Sequence, residues 1–153
     1  MDGLSSTYLN KLSKYCLKKI IAVIPCDHLN KFDLKIGDQF IVNLGPSSTL
    51  GTHFVALNIS ETHFSYFDSF GMDCKNPHIL NKLKEYKKFV IYSNQQIQDY
   101  FSLACGFFSL SYLIAIQQGM SYKEFVALFD SKNFIDNDKI CIDIIISHIK
   151  SMK

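Results

Sequence analysis

The chain has no tryptophan, only three prolines and only seven glycines among its 153 residues. Nowhere do proline and glycine cluster into a linker, and no repeat or low-complexity tract interrupts the sequence. A chain of this length suits one domain, so a single domain over residues 1–153 is the expectation. No Cys-x-x-Cys pair occurs, and the five cysteines, Cys16, Cys26, Cys74, Cys105 and Cys141, make an odd number. Both facts speak against a zinc site and against a disulfide framework. Reduced thiols and an intracellular compartment are expected. No apolar run approaches the roughly 20 residues of a bilayer-spanning helix. Phe107–Ile116 and Ile140–Ile149 are shorter and carry polar residues. The first segment, MDGLSSTYLNKLSKYC, lacks the apolar stretch of a secretory leader. The expectation is a protein that is not secreted and has no membrane partner. A net charge of +2 supports no more than weak DNA contact.

What the chain does have is apolar bulk: 48% hydrophobic residues, with 13 Phe and 8 Tyr. A domain of this size buries about two-thirds of the surface its unfolded chain exposes, enough for a core without staples. Helical spacing over residues 5–15 (Tyr8, Leu9, Leu12, Tyr15) follows a Ser5 or Ser6 cap. Short strands are expected at Ile20–Ile24, Gln39–Leu44, His53–Ile59, His63–Asp68 and Phe89–Tyr92. Gly45–Gly51 reads as a loop, and the third and fourth strands read as an antiparallel hairpin around Ser60-Glu61-Thr62. Pro77–Tyr86 reads as a short surface helix. Ala104–Gln118 is apolar on nearly every face and stops at Gly119, which predicts a buried helix. Ser121 to Glu124 is a capping box opening a helix to about Phe129. Asn137 or Asp138 is the expected cap of a last helix to about Lys150. The order of elements predicts an α+β domain, a mixed or antiparallel sheet packed on a central buried helix.

Cys105 falls at the predicted start of that helix. A helix N-terminus offers partial positive charge and free N–H groups, which stabilise the thiolate, the nucleophilic form. Gly106 beside it leaves room for a substrate near the backbone. Taken alone, Cys105 fits a buried structural thiol more readily. His53 begins a strand just after the glycine-containing loop, where a side chain can reach a cleft. Asp68 ends the next strand. If the two strands pair, Asp68 can accept from the second ring N–H of His53 and fix its tautomer. The alternative is a turn Asp bonded to its own backbone. Gln98, seven residues before Cys105, could place an amide N–H beside the Cys105 backbone N–H as an oxyanion hole. Gln95 and Gln96 compete for that role. His28, His63, His78 and His148 show no partner pattern and read as structural or surface residues. Cys74 reads as an exposed loop thiol, and the run Lys82 to Lys88 as a solvated helix face.

The order His, Asp, Gln, Cys, with the strings GTHFVALNI, YFDSFG, QIQDYFSLACGFFSL and FIVNLGPSSTLGTHF, resembles the adenain-like cysteine proteases. That family centres on the adenovirus maturation protease, and the look is nearer still to its virophage and Polinton/Maverick-element members. It shares a superfamily with the SUMO- and ubiquitin-like-protein proteases. The similarity covers about residues 20 to 118. It implies papain-like active-site geometry with a permuted chain order. The catalytic set would be Cys105 as nucleophile, His53 as base, Asp68 behind the His, and Gln98 at the oxyanion. Gly51, Phe54 and Gly106 would bind substrate. The sequence departs from the family in having Phe54 where Trp usually follows the His, and in being shorter than the adenovirus enzyme. The resemblance further implies a viral cysteine endopeptidase that cuts capsid or core precursors after glycine. Such an enzyme would work in the host cell and be packaged in the virion as a monomer. No cofactor would be required, and activation by a viral peptide or by DNA is a family trait. A protease of ubiquitin-like modifiers and an inactive capsid-binding module remain the alternatives.

Overall fold

The computed structural model describes residues 5–153. The first four residues of the expected domain span and of the polar N-terminal segment lie outside them. Ser5 caps helix α1 (Ser6–Cys16), its hydroxyl accepting the Tyr8 N–H at 3.2 Å. Five strands follow in chain order: β1 (Ile20–Pro25), β2 (Gln39–Asn43), β3 (Phe54–Ile59), β4 (His63–Phe67) and β5 (Phe89–Tyr92). They lie in the sheet in the same order, β1-β2-β3-β4-β5. The two inner pairings, β2 with β3 and β3 with β4, are antiparallel. The outer ones, β1 with β2 and β4 with β5, are parallel. The sheet is therefore mixed, and the expected β3–β4 hairpin forms.

Period-two alternation divides the strand side chains between two cores. Phe40, Val42, Val55, Leu57, Phe64 and Tyr66 face a layer made by helix α2 (Pro77–Lys84) and the 3-10 helix Cys26–Lys31. Ile41, Ala56 and Phe67 face helix α3 (Cys105–Gln117), which α1, α4 (Tyr122–Val126) and α5 (Asn137–Ser151) flank. Because helices cover both faces, β2 to β4 are apolar on both sides, and α3 is buried on almost its whole circumference. Phe67 stacks on Tyr112 of α3 at 4.4 Å between ring centroids, with Phe125 of α4 edge-on to both. His148 of α5 ties this layer together: its Nε2 lies 2.8 Å from the Cys16 carbonyl and its Nδ1 lies 3.1 Å from the Gln118 amide nitrogen. Among the described residues no helix is long and apolar enough to cross a membrane.

Four local expectations are corrected. Cys74 is buried in the α2-side core beside Tyr66 instead of lying exposed in a loop, and burial raises its thiol pKa. Lys82 is not on a solvated face. It is buried and paired with Glu85 at 3.0 Å, while Lys88 donates to the Ser60 carbonyl, so half of the basic run is engaged inside the domain. The helix opened by the Ser121–Glu124 capping box is short, ending at Val126. Neither Asn137 nor Asp138 caps α5; its N-cap is Asp136, which makes no side-chain bond. Asn137 is instead buried, donating to the Ile97 and Asp130 carbonyls.

Candidate active site

Three chain ends meet at one edge of the β3–α3 layer. His53 immediately precedes β3, Asp68 immediately follows β4, and Cys105 opens α3. Antiparallel pairing of β3 with β4 brings the first two together. His53 Nε2 donates to Asp68 Oδ1 at 2.8 Å, which leaves Nδ1 for the Cys105 side. The two residues are 15 apart in sequence and 2.8 Å apart in space.

Asp68 is held on several sides. Its Oδ1 also accepts the Phe70 N–H at 2.8 Å, and its carbonyl accepts the Gly71 N–H. Ser93, just past β5, accepts the Asp68 N–H and donates to the Asp68 carbonyl, at 2.7 and 2.9 Å. The turn can close only because Gly71 adopts φ +72 and carries no side chain; a Cβ there would sit 2.6 Å from the Gln95 backbone. Phe70 then stacks on the His53 ring, centroids 4.5 Å apart at 15°, and Tyr100 packs against Phe70. Phe70, Ser93 and Gly71 had no signal in the sequence beyond their place in YFDSFG and YSNQQ. Their roles come from long-range packing.

The electrostatics follow from this packing. Burial opposes a charge on His53, but Asp68 and the Cys105 sulfur outweigh it, and the ring pKa rises from 6.5 to about 9. Burial likewise opposes the Cys105 thiolate. The His53 ring and the backbone N–H groups of Phe54 and Gly106 overcome it, and the thiol pKa falls below its ordinary value. This arrangement favours the thiolate–imidazolium form of the pair over the neutral one. By contrast, burial raises the thiols of Cys16, Cys74 and Cys141. Cys105 alone of the five is only partly buried.

The pair sits in a cleft of about 340 Å³, whose lining includes Leu50, Gly51, Phe54, Gln98, Tyr100 and Leu103. A larger hollow of about 450 Å³ lies between α3 and α5, near His148 and remote from these groups. Gln98 is buried. Its Oε1 accepts from the Ser69 hydroxyl, and its Nε2 donates to the Ser102 carbonyl at 2.9 Å. A carbonyl can only accept, so the amide nitrogen must face Ser102. Gln96 is turned away, its amide donating to the Gln98 carbonyl.

The expected substrate-binding residues divide. Gly51 (φ +88) lines the cleft, but its bare Cα packs against the Asn43 side chain. Asn43 Oδ1 in turn accepts the Gly45 and Thr52 N–H groups and so clamps the loop that delivers His53. Phe54 also lines the cleft while filling the α3-side core. The reading of Gly106 is corrected. A Cβ there would lie 2.9 Å from Leu9 Cδ2 and 3.4 Å from Phe54, so its missing side chain makes room for α1, not for a ligand.

No protein-family model and no curated protein sequence matches the chain. Solved structures do. The chain is similar to a protease of ASFV, with TM-score 0.63 and 18% identity over 93% of this chain and 66% of that one. It is also similar to the SUMO protease Ulp1, with TM-score 0.55 and 16% identity over 96% of this chain and 79% of the other. AvrA with IP6 and CoA aligns at TM-score 0.51 and 19% identity over 87% and 53% of the two chains. The chain shares the fold of these structures. It spans about two-thirds of the ASFV protease and about half of AvrA.

Proposed function

We propose that the chain is a cysteine peptidase acting on polypeptides, with Cys105 as nucleophile and His53 as its general acid and base. The observation that carries this reading is the bond from His53 Nε2 to Asp68 Oδ1, which turns the other ring nitrogen toward a thiol of lowered pKa. In the proposed cycle the Cys105 thiolate adds to a peptide carbonyl carbon, and the carbonyl π pair moves onto oxygen. That oxyanion is met by the Cys105 backbone N–H and by the Gln98 amide. The tetrahedral intermediate collapses, and the His53 imidazolium gives its proton to the departing amine. His53 then takes a proton from water, which attacks the thioester and frees the acid and the thiolate. Asp68 holds the ring in place throughout.

The fold shared with a viral protease supports a substrate among viral capsid or core precursors, within the host cell and the virion. The cleft is lined by uncharged residues apart from the His53–Cys105 pair, and Leu50 and Gly51 are part of that lining. Both features favour small residues such as glycine before the scissile bond. The fold shared with Ulp1 favours ubiquitin-like modifiers as a second reading. An acyl transfer from coenzyme A is disfavoured, because neither Lys nor Arg lines the cleft among the described residues, leaving no cation there for its phosphates besides the His53 ring that pairs with Cys105. The test incubates the protein, and its Cys105→Ala variant, with fluorogenic glycine peptides of viral type and with SUMO and ubiquitin fusions. Cys105-dependent hydrolysis of the peptides supports the reading. Cleavage of the fusions alone transfers it to the second reading, and no cleavage of either contradicts it.

A further inference from the structure

Behind Gln98 a second carboxylate enters the site from a different part of the chain. Ser102 Oγ donates to Asp138 Oδ2 at 2.7 Å, although the two residues are 36 apart in sequence. The same oxygen accepts the Ala104 N–H at 3.1 Å and lies 3.4 Å from Gln98 Nε2. Asp138 is in the first turn of α5, where an acid would suit the helix dipole. Its carboxylate does not cap that helix, however; it faces across to the 97–104 segment, and its Oδ1 is buried without a hydrogen-bond partner among the described residues. The neighbouring Asn137 grips the Ile97 carbonyl at 2.7 Å. Two adjacent residues of α5 thus hold both ends of the segment that carries Gln98 and leads into Cys105.

We infer that Asp138 is a positioning residue for the oxyanion site, acting through Ser102 on Gln98 and on the first backbone N–H groups of α3. This rests on the peptidase reading above. A carboxylate polarises the hydroxyl that donates to it and strengthens that oxygen as an acceptor. The Ser102 hydroxyl can donate only one hydrogen. With that hydrogen committed to Asp138, the oxygen is left to accept the Ala104 N–H, while the Ser102 carbonyl takes one amide hydrogen of Gln98 and leaves the second for the oxyanion. The Gln98 amide and the start of α3 are then fixed relative to each other, which an oxyanion needs if it is to meet both donors at once. Replacing Asp138 by Asn keeps the shape but removes the charge that orients the hydroxyl.

The test compares Asp138→Asn and Ser102→Ala, each alone and combined with Gln98→Ala. It follows turnover of a fluorogenic glycine peptide, the affinity of a peptide ending in glycinal, the rate of Cys105 alkylation by iodoacetamide, and Tm. In the aldehyde adduct the Cys105 sulfur bonds to the carbonyl carbon and the oxygen takes the charge or the His53 proton, so the adduct reads the oxyanion site. Alkylation expels iodide and forms no oxyanion. Each single variant is expected to lower kcat and aldehyde affinity by about 10-fold, less than the roughly 100-fold that follows loss of a whole oxyanion donor. KM, alkylation rate and Tm should stay as in the wild type, and in the Gln98→Ala background each change should add a smaller loss than it causes alone. Unchanged aldehyde affinity, an equal loss on top of Gln98→Ala, or a joint fall of alkylation rate and Tm would overturn the assignment. If the wild type cleaves no peptide, the peptidase reading fails, while aldehyde affinity and its dependence on Asp138 still decide the assignment. Absence of any aldehyde binding overturns both.

Discussion

His53 Nε2 and Asp68 Oδ1 lie 2.8 Å apart, across the open end of the β3–β4 hairpin. The hydrogen bond fixes which ring nitrogen faces Cys105, and the rest of the site is arranged around that choice. Phe70 holds the ring from one side, and Ser93 holds the carboxylate's backbone from below.

Cys105→Ala is expected to abolish peptide hydrolysis and leave Tm within a few degrees of the wild type. Residual turnover above that of buffer would assign the nucleophile elsewhere. Removing one partly buried sulfur leaves the α3-side core intact, so circular dichroism and Tm serve as the control for folding.

The rate should depend on pH as a bell. The ring pKa is raised to about 9, so the imidazolium is present below that pH and lost as pH rises through it, taking with it the acid that protonates the leaving amine. The thiol pKa is lowered, so falling pH removes the thiolate only once that depressed value is passed. Hydrolysis should therefore decline above about pH 9, while alkylation of Cys105, which needs only the thiolate, should not. The same raised ring pKa contributes folding stability that is fully present below pH 6.5 and lost as pH passes about 9.

Asp68→Asn should lower kcat and move the basic limb of that profile toward lower pH, since the carboxylate's hydrogen bond and charge both raise the ring pKa. Ser93→Ala should do the same more weakly, because it frees the Asp68 backbone while sparing the carboxylate. A profile unchanged in Asp68→Asn contradicts the role given to Asp68.

Gly106→Ala should destabilise the fold by about 1–3 kcal/mol, the usual cost of overpacking a filled core, because its Cβ would press on Leu9 at 2.9 Å. Pairing it with Leu9→Ala should recover part of the thermal shift that Gly106→Ala produces. If Gly106→Ala instead leaves Tm unchanged and raises KM, the glycine serves substrate access and the packing account is wrong.

The hairpin, the buried helix and the meeting of His53, Asp68 and Cys105 were legible in the sequence. Period-two and all-round apolar patterns are local signals, and an antiparallel hairpin fixes which strand ends meet. The parallel placement of β1 and β5 was not legible, because it depends on crossovers through α2 and the 3-10 helix. Cys74 and Lys82 misled for a related reason. Their local sequence is polar, and only the α2 layer folding over Tyr66 and Phe64 buries them. Gly106 misled because a glycine beside a nucleophile fits two needs equally, and the arrival of Leu9 from the far end of the chain decides between them. Asp138 carried no local signal at all; its partner Ser102 is supplied by tertiary packing.

The most direct test of the central claim is the pH dependence of Cys105 alkylation in the wild type and in His53→Ala, with Cys105→Ala subtracting the other thiols. Coupling of the two side chains predicts that the wild-type thiol reacts with a midpoint below that of an ordinary cysteine, and that His53→Ala returns the midpoint to the ordinary range or above it. Identical midpoints in the two proteins would contradict the account.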